Sequence, residues 1–199
     1  MKNLFILSLL LFGYPFYSMA QERYGIEYDI VESDELRMLF EFKDIEYIKI
    51  HVSGNLEGKK GKIRENVCRN GKIEHRDYPF FYPMEENTLT IQVMLGRIDN
   101  DKVELFLRTP YRNVRSVYEV KDNGQYVPLD INLKPEERVL PSVPVIGITN
   151  GLIKKIIYDG QEATSHDFCG IRDEQLHPSE WHTLPDLADD YIYFEIIFE

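Results

Sequence analysis

The chain has 199 residues, a formal net charge of −11 from 34 acidic and 23 basic side chains, and two cysteines. An acidic balance of this size disfavours nucleic acid as a partner, because phosphate binding needs a basic face. Length and apolar content suffice for a sizeable core without disulfide staples.

The first twenty residues read as a secretory leader. Lys2 is their only charge, Leu4 to Phe12 is a short apolar run, and Ser18-Met19-Ala20 puts small residues where a signal peptidase reads. The expectation is export to the periplasm or beyond, with cleavage after Ala20. The run is shorter than the roughly 20 residues that cross a bilayer as a helix, and no later stretch is long enough. No cysteine adjoins the cut, so a lipoprotein anchor is not expected. No Asn-x-Ser/Thr sequon occurs, in keeping with a bacterial exported chain.

Short strands are expected from Tyr24 onward. Ile26, Tyr28 and Ile30 alternate with Glu27, Asp29 and Val31, and Ile48, Ile50 and Val52 share one face of the next strand. Between them, Leu36, Met38, Phe40 and Phe42 also alternate, and we read this segment as a strand. The competing signal is Ser33 as a helix cap, with Asp34 and Glu35 in the first turn. Lys62 to Tyr78 is split by Asn70-Gly71, the pair that suits a type I′ hairpin turn.

The clearest pattern is a hairpin over Thr88 to Thr109. Leu89, Ile91, Val93 and Leu95 face one way on its first arm, and Val103, Leu105 and Leu107 on its second. The polar link Gly96 to Asp101 should be the turn. Its Asp99-Asn100-Asp101 could offer oxygens to calcium, but ordinary turn chemistry explains these residues better. Asn123-Gly124 and Asn150-Gly151 suggest two further hairpin turns. Asp159-Gly160 closes the arm that starts at Leu152.

The Pro-rich stretch 132–144 is the best internal boundary. A split there leaves a C-terminal piece that is small for an independent domain. We therefore expect a leader at 1–20 and one domain at 21–199, with 132–144 as a possible subdivision. Residues 173–182 look like short helical turns. Tyr191 to Glu199 ends as a strand, with Ile192, Phe194, Ile196 and Phe198 on one face. These elements predict an all-β fold, an antiparallel β-sandwich of immunoglobulin-like or related type, with a helical insertion near 173–182.

Three groups of residues bear on function. Cys68 and Cys169 are expected to form one disulfide, given export and an even count. His166, Cys169, His177 and His182 are the densest reactive collection. They suggest a zinc site or a thiol nucleophile, though their spacing matches no standard metal motif. Asp77 to Met84 is the most unusual composition, with Tyr78, Phe80, Phe81 and Tyr82 among prolines. Aromatics on a stiff loop can hold a sugar or a peptide, and can equally plug one end of the fold. Trp181, the only tryptophan, either lines a groove or anchors its segment.

No nucleophile elbow, phosphate loop, dinucleotide fingerprint or His-Glu-x-x-His occurs. No cofactor is expected. The reading from sequence is an exported, non-enzymatic binding module for a protein, peptide or glycan, with Tyr78, Phe80, Phe81, Tyr82 and Trp181 as its candidate contacts. The alternatives are a metal- or thiol-dependent hydrolase using the Cys169 and histidine cluster, and a structural subunit of a surface assembly.

Overall fold

A computed structural model describes residues 22–29, 31, 33–99, 101–119, 125–128, 138–139, 142–149, 152–158, 161–167, 176–183 and 191–199. The expected leader lies outside the described residues. So do Asn123-Gly124, Asn150-Gly151 and most of the Pro-rich stretch.

The protein is mostly β. One five-stranded antiparallel sheet has the order β1 (Gly25–Asp29), β2 (Ile45–Ser53), β5 (Thr88–Asp99), β6 (Lys102–Arg108), β7 (Asn113–Glu119). The second has the order β4 (Lys72–Pro79), β3 (Gly61–Arg69), β12 (Tyr191–Phe198), β9 (Ser142–Thr149), β8 (Gln125–Pro128). A separate hairpin pairs β10 (Leu152–Tyr158) with β11 (Gln161–Asp167). Among the described residues no helix is long and apolar enough to cross a membrane.

The central hairpin follows its sequence closely. Leu89, Ile91, Val93, Leu95, Leu105 and Leu107 are wholly buried. Its turn is tighter than expected. Pairing continues through Gly96 and Arg97, and a register irregularity lets Asp99 pair with Lys102. Residues that look like turn formers are therefore drawn into the ladder.

Both sheets contribute to one hydrophobic cluster. Ile50, Ile91 and Leu105 from the first meet Ile63, Val145, Phe194 and Ile196 from the second. The Tyr118 ring of β7 lies edge-on to Phe194 of β12, with centroids 6.1 Å apart. At about 25 cal/mol per Å2 of apolar surface buried, this shared face is the main driving force of the fold.

Three expectations are corrected. Asp34–Phe42 is an α-helix, α1, and not a strand. The Ser33 hydroxyl accepts from the Leu36 backbone N–H at 3.3 Å, Asp34 and Glu35 occupy the first turn, and Asp44 ends the helix at φ +51°. Local capping outweighed period-two alternation there because no neighbouring strand claims the segment. The alternating apolar residues consequently stay outside: Leu36, Met38 and Phe42 are all exposed.

Among the described residues the strands flanking Asn123-Gly124 and Asn150-Gly151 do not pair with each other as the expected hairpins require. β7 and β8 belong to different sheets, β9 pairs with β8 and β12, and β10 pairs with β11. Asn-Gly signals a reversal of direction, but not which strand the returning chain will join. Asn70-Gly71 does close a hairpin, with φ of +49° and +72° as a type I′ turn demands.

The C-terminal strand is docked at the centre of the second sheet, between β3 and β9. Phe194, Ile196 and Phe198 face the core as expected. Tyr191, Tyr193 and Glu195, on its opposite face, are buried too. A 310 helix, Pro178–Thr183, overlaps the span 173–182 expected to be helical. Its buried Trp181 packs on Tyr191 with ring centroids 5.4 Å apart.

Candidate ligand-binding site

The loop after β4 divides its aromatics between the core and solvent. Phe80 turns inward and stacks on Tyr111, centroids 5.4 Å apart. Its backbone N–H donates to the Gly61 carbonyl at 2.8 Å. Gly61 is required here, since a Cβ would come within 2.5 Å of the Phe80 ring. Met84 is buried; its N–H donates to the Lys59 carbonyl at 2.9 Å, and its own carbonyl accepts from Gly58 at 2.8 Å. The Tyr111 hydroxyl accepts from the Glu85 N–H at 3.0 Å. The loop is thus pinned at both ends. Between the pins, Phe81 and Tyr82 are 65% and 71% exposed.

The turn from β6 to β7 forms the other wall. Thr109 organises it: its buried hydroxyl accepts from the Arg112 N–H at 2.9 Å and donates to the Arg112 carbonyl at 3.0 Å. Pro110 sits where its fixed φ favours a tight turn. Arg112 is thereby held with its guanidinium carbon 4.6 Å above the Phe81 ring, a cation–π contact. The Arg112 Nε is buried and has no acceptor. Phe81 and residues 108–113 line a shallow, open cleft of about 190 Å3.

The remaining candidates lie elsewhere. Tyr78 projects towards the core from β4, and its hydroxyl donates to Glu65 at 2.8 Å. The Tyr118 hydroxyl donates to the other oxygen of Glu65, also at 2.8 Å, across the gap between the sheets. Burial pushes both phenols up, and Glu65 adds to the shift, so both stay protonated as donors. Glu65 is a buried carboxylate satisfied by two tyrosines, a structural tie between the sheets.

Trp181 lies on the opposite face of the second sheet. It is buried, its indole N–H donates to the Leu176 carbonyl at 3.2 Å, and it has no part in the cleft. The same face carries an ion network. Arg64 clasps Asp77 with bonds of 2.6 and 3.0 Å, and Lys62 bridges Asp77 and Glu199. Arg64, with Lys62 beside it, holds the Asp77 carboxyl down at about 2. Glu195 is buried and accepts from the Asn66 amide at 3.1 Å and from the Ser142 hydroxyl.

Of the metal or nucleophile candidates, Cys169 and the His166 side chain lie outside the described residues. His177 bonds Ser179 and meets the Tyr193 ring edge-on, while the exposed His182 lies against Gly71. Among the described residues no group of three His, Cys, Asp or Glu side chains gathers to hold a metal. The described residues also hold no disulfide. Cys68 is a free, buried thiol beside Tyr191, whose phenol is pushed up by burial and then by that thiol.

No family model, curated protein or solved structure matches this chain.

Sequence reasoning missed Arg108, Thr109, Tyr111 and Arg112. The signal available was Arg108-Thr109-Pro110-Tyr111-Arg112, a proline turn carrying two cations and an aromatic. It was invisible as a site because its partner, Phe81, lies far away in sequence.

Proposed function

We propose that this chain is an exported, non-enzymatic binding module for a protein, peptide or glycan, and that it uses the Phe81–Tyr82 loop and the adjoining cleft. The observation that carries this reading is the pinned loop: Phe80 and Met84 anchor it in the core, yet Phe81 and Tyr82 stand in solvent. Aromatic surface held rigidly in the open gives a ligand large contact area at little entropic cost. The shared core of the two sheets supports an immunoglobulin-like or related sandwich as the scaffold. The second sheet draws strands from both sides of 132–144, which supports a single domain. Export rests on the leader-like first twenty residues.

The test is to probe neutral and charged glycan arrays and a peptide array with the secreted protein and with a Phe81→Ala, Tyr82→Ala double variant. The variant should keep its circular dichroism and midpoint of unfolding, since both side chains are exposed, and lose binding. Binding that survives the double substitution unchanged sinks the reading.

A further inference from the structure

We infer that the cleft recognises a carboxylated sugar, a single sialic or uronic acid unit in an otherwise neutral glycan; this rests on the binding-module reading above. The first observation is charge. Arg37, Arg64, Arg97 and Arg115 each lie within ion-pair distance of a carboxylate. Arg108 and Arg112 have no carboxylate partner among the described residues, as is true also of Arg23, Arg69 and Arg76, but these two line one cleft. Two unmatched arginines on the lining of one cleft are notable in a chain with eleven more acids than bases.

The second observation is the state of Arg112. Its guanidinium rests on Phe81 and its Nε is shut off from water without an acceptor. A partly desolvated, unpaired cation gains strongly from an anion on its outward N–H groups. The planar guanidinium fork matches a carboxylate in particular.

The third is shape. The cleft is shallow and open, so it suits a ring lying flat and not a side chain inserted end-on. A carboxylated pyranose offers a C–H face for the exposed surface of Phe81 and an anion for the arginines within one residue. The surrounding acidity selects further. A polyanionic glycan would be repelled by the molecule as a whole, whereas one carboxylate among neutral sugars meets only the local positive spot.

The experiment is calorimetric titration of the secreted protein with sialyllactose, a glucuronyl disaccharide, the methyl ester of each, and lactose. At least one acid should bind, its ester should bind about tenfold to a hundredfold more weakly, and lactose should not bind. Arg112→Gln and the exposed Arg108→Gln should each weaken the acid comparably without moving the unfolding midpoint. If Arg112→Gln disturbs the turn, Arg108→Gln decides. Equal binding of acid and ester, indifference to Arg108→Gln, or no binding of either acid at millimolar concentration overturns the inference. Should the arrays then show a neutral glycan or a peptide bound in a manner dependent on Phe81 and Tyr82, the binding module stands and only its ligand class changes. Should they show nothing, both fall.

Discussion

The two sheets treat their outer faces differently. On the first sheet, β2, β5 and β6 alternate cleanly between buried and half-exposed positions. Its outer side is half-exposed: Lys49 and His51 bond Asp29 and Thr90 bonds His51, beside the half-buried Tyr47, Met94 and Phe106. On the second sheet, β12 and β9 are buried almost throughout, on both faces. The 310 helix covers Tyr191, and charged groups there are satisfied by one another. A face open to water tolerates any polar residue. A covered face makes each polar group dependent on a specific partner.

Substitutions should separate the two faces. Trp181→Ala, on the covered side, should cost about 3–5 kcal/mol in urea unfolding, as expected for a buried tryptophan. A loss under about 1 kcal/mol would mean that the 310 helix merely rests on the sheet. Glu65→Ala, between the sheets, should cost about 1–3 kcal/mol for each tyrosine hydroxyl left without its acceptor. Tyr118→Phe should recover part of that loss in the double variant; strict additivity would deny the tie.

Asp77 offers a pH test of the covered face. Its folded pKa of about 2 lies below the ordinary 3.8. The ion pair with Arg64 therefore contributes stability above about pH 4, and that contribution is lost as pH falls through about 2. Asp77→Asn should be less stable near neutrality and show a flatter decline between these limits. Parallel declines for the two proteins would show the pair to be inert. The smallest effect belongs to the open face: Val117→Ala on β7, half exposed, should stay within about 0.5 kcal/mol of the parent.

What could be read in the sequence follows the same division. The first sheet's strands were legible because one face is wet, so period-two alternation is written into Leu89 to Leu107. The second sheet was harder. Tyr193 and Glu195 look like solvent-facing positions and are buried. β11, Gln161–Asp167, has few apolar residues, so its strand was not foreseen. Strand partners were least legible, since Asn-Gly pairs mark turns without naming neighbours. Of the site, Phe81 and Tyr82 were foreseen as one cluster with Tyr78, Phe80 and Trp181. The fold separates these into two exposed rings, a tie to Glu65, a loop anchor and a cap on the far face. The arginines of the β6–β7 turn came into view only when the chain brought them to Phe81.

The position of β12 also sets an order in time. It lies between β3 and β9, and beyond it the backbone of Glu199 still exchanges two hydrogen bonds with Lys60. Until residues 191–199 have left the ribosome, the β3–β4 hairpin and the β8–β9 pair lack the strand that joins them. The first sheet, whose five strands are all complete by Glu119, needs only one pairing that skips strands, β2 with β5, and takes the rest from neighbours within the sheet's own chain order. The second must wait for a contact between distant segments, the slow kind. Half of the core therefore stays open until β12 is seated between its two neighbours.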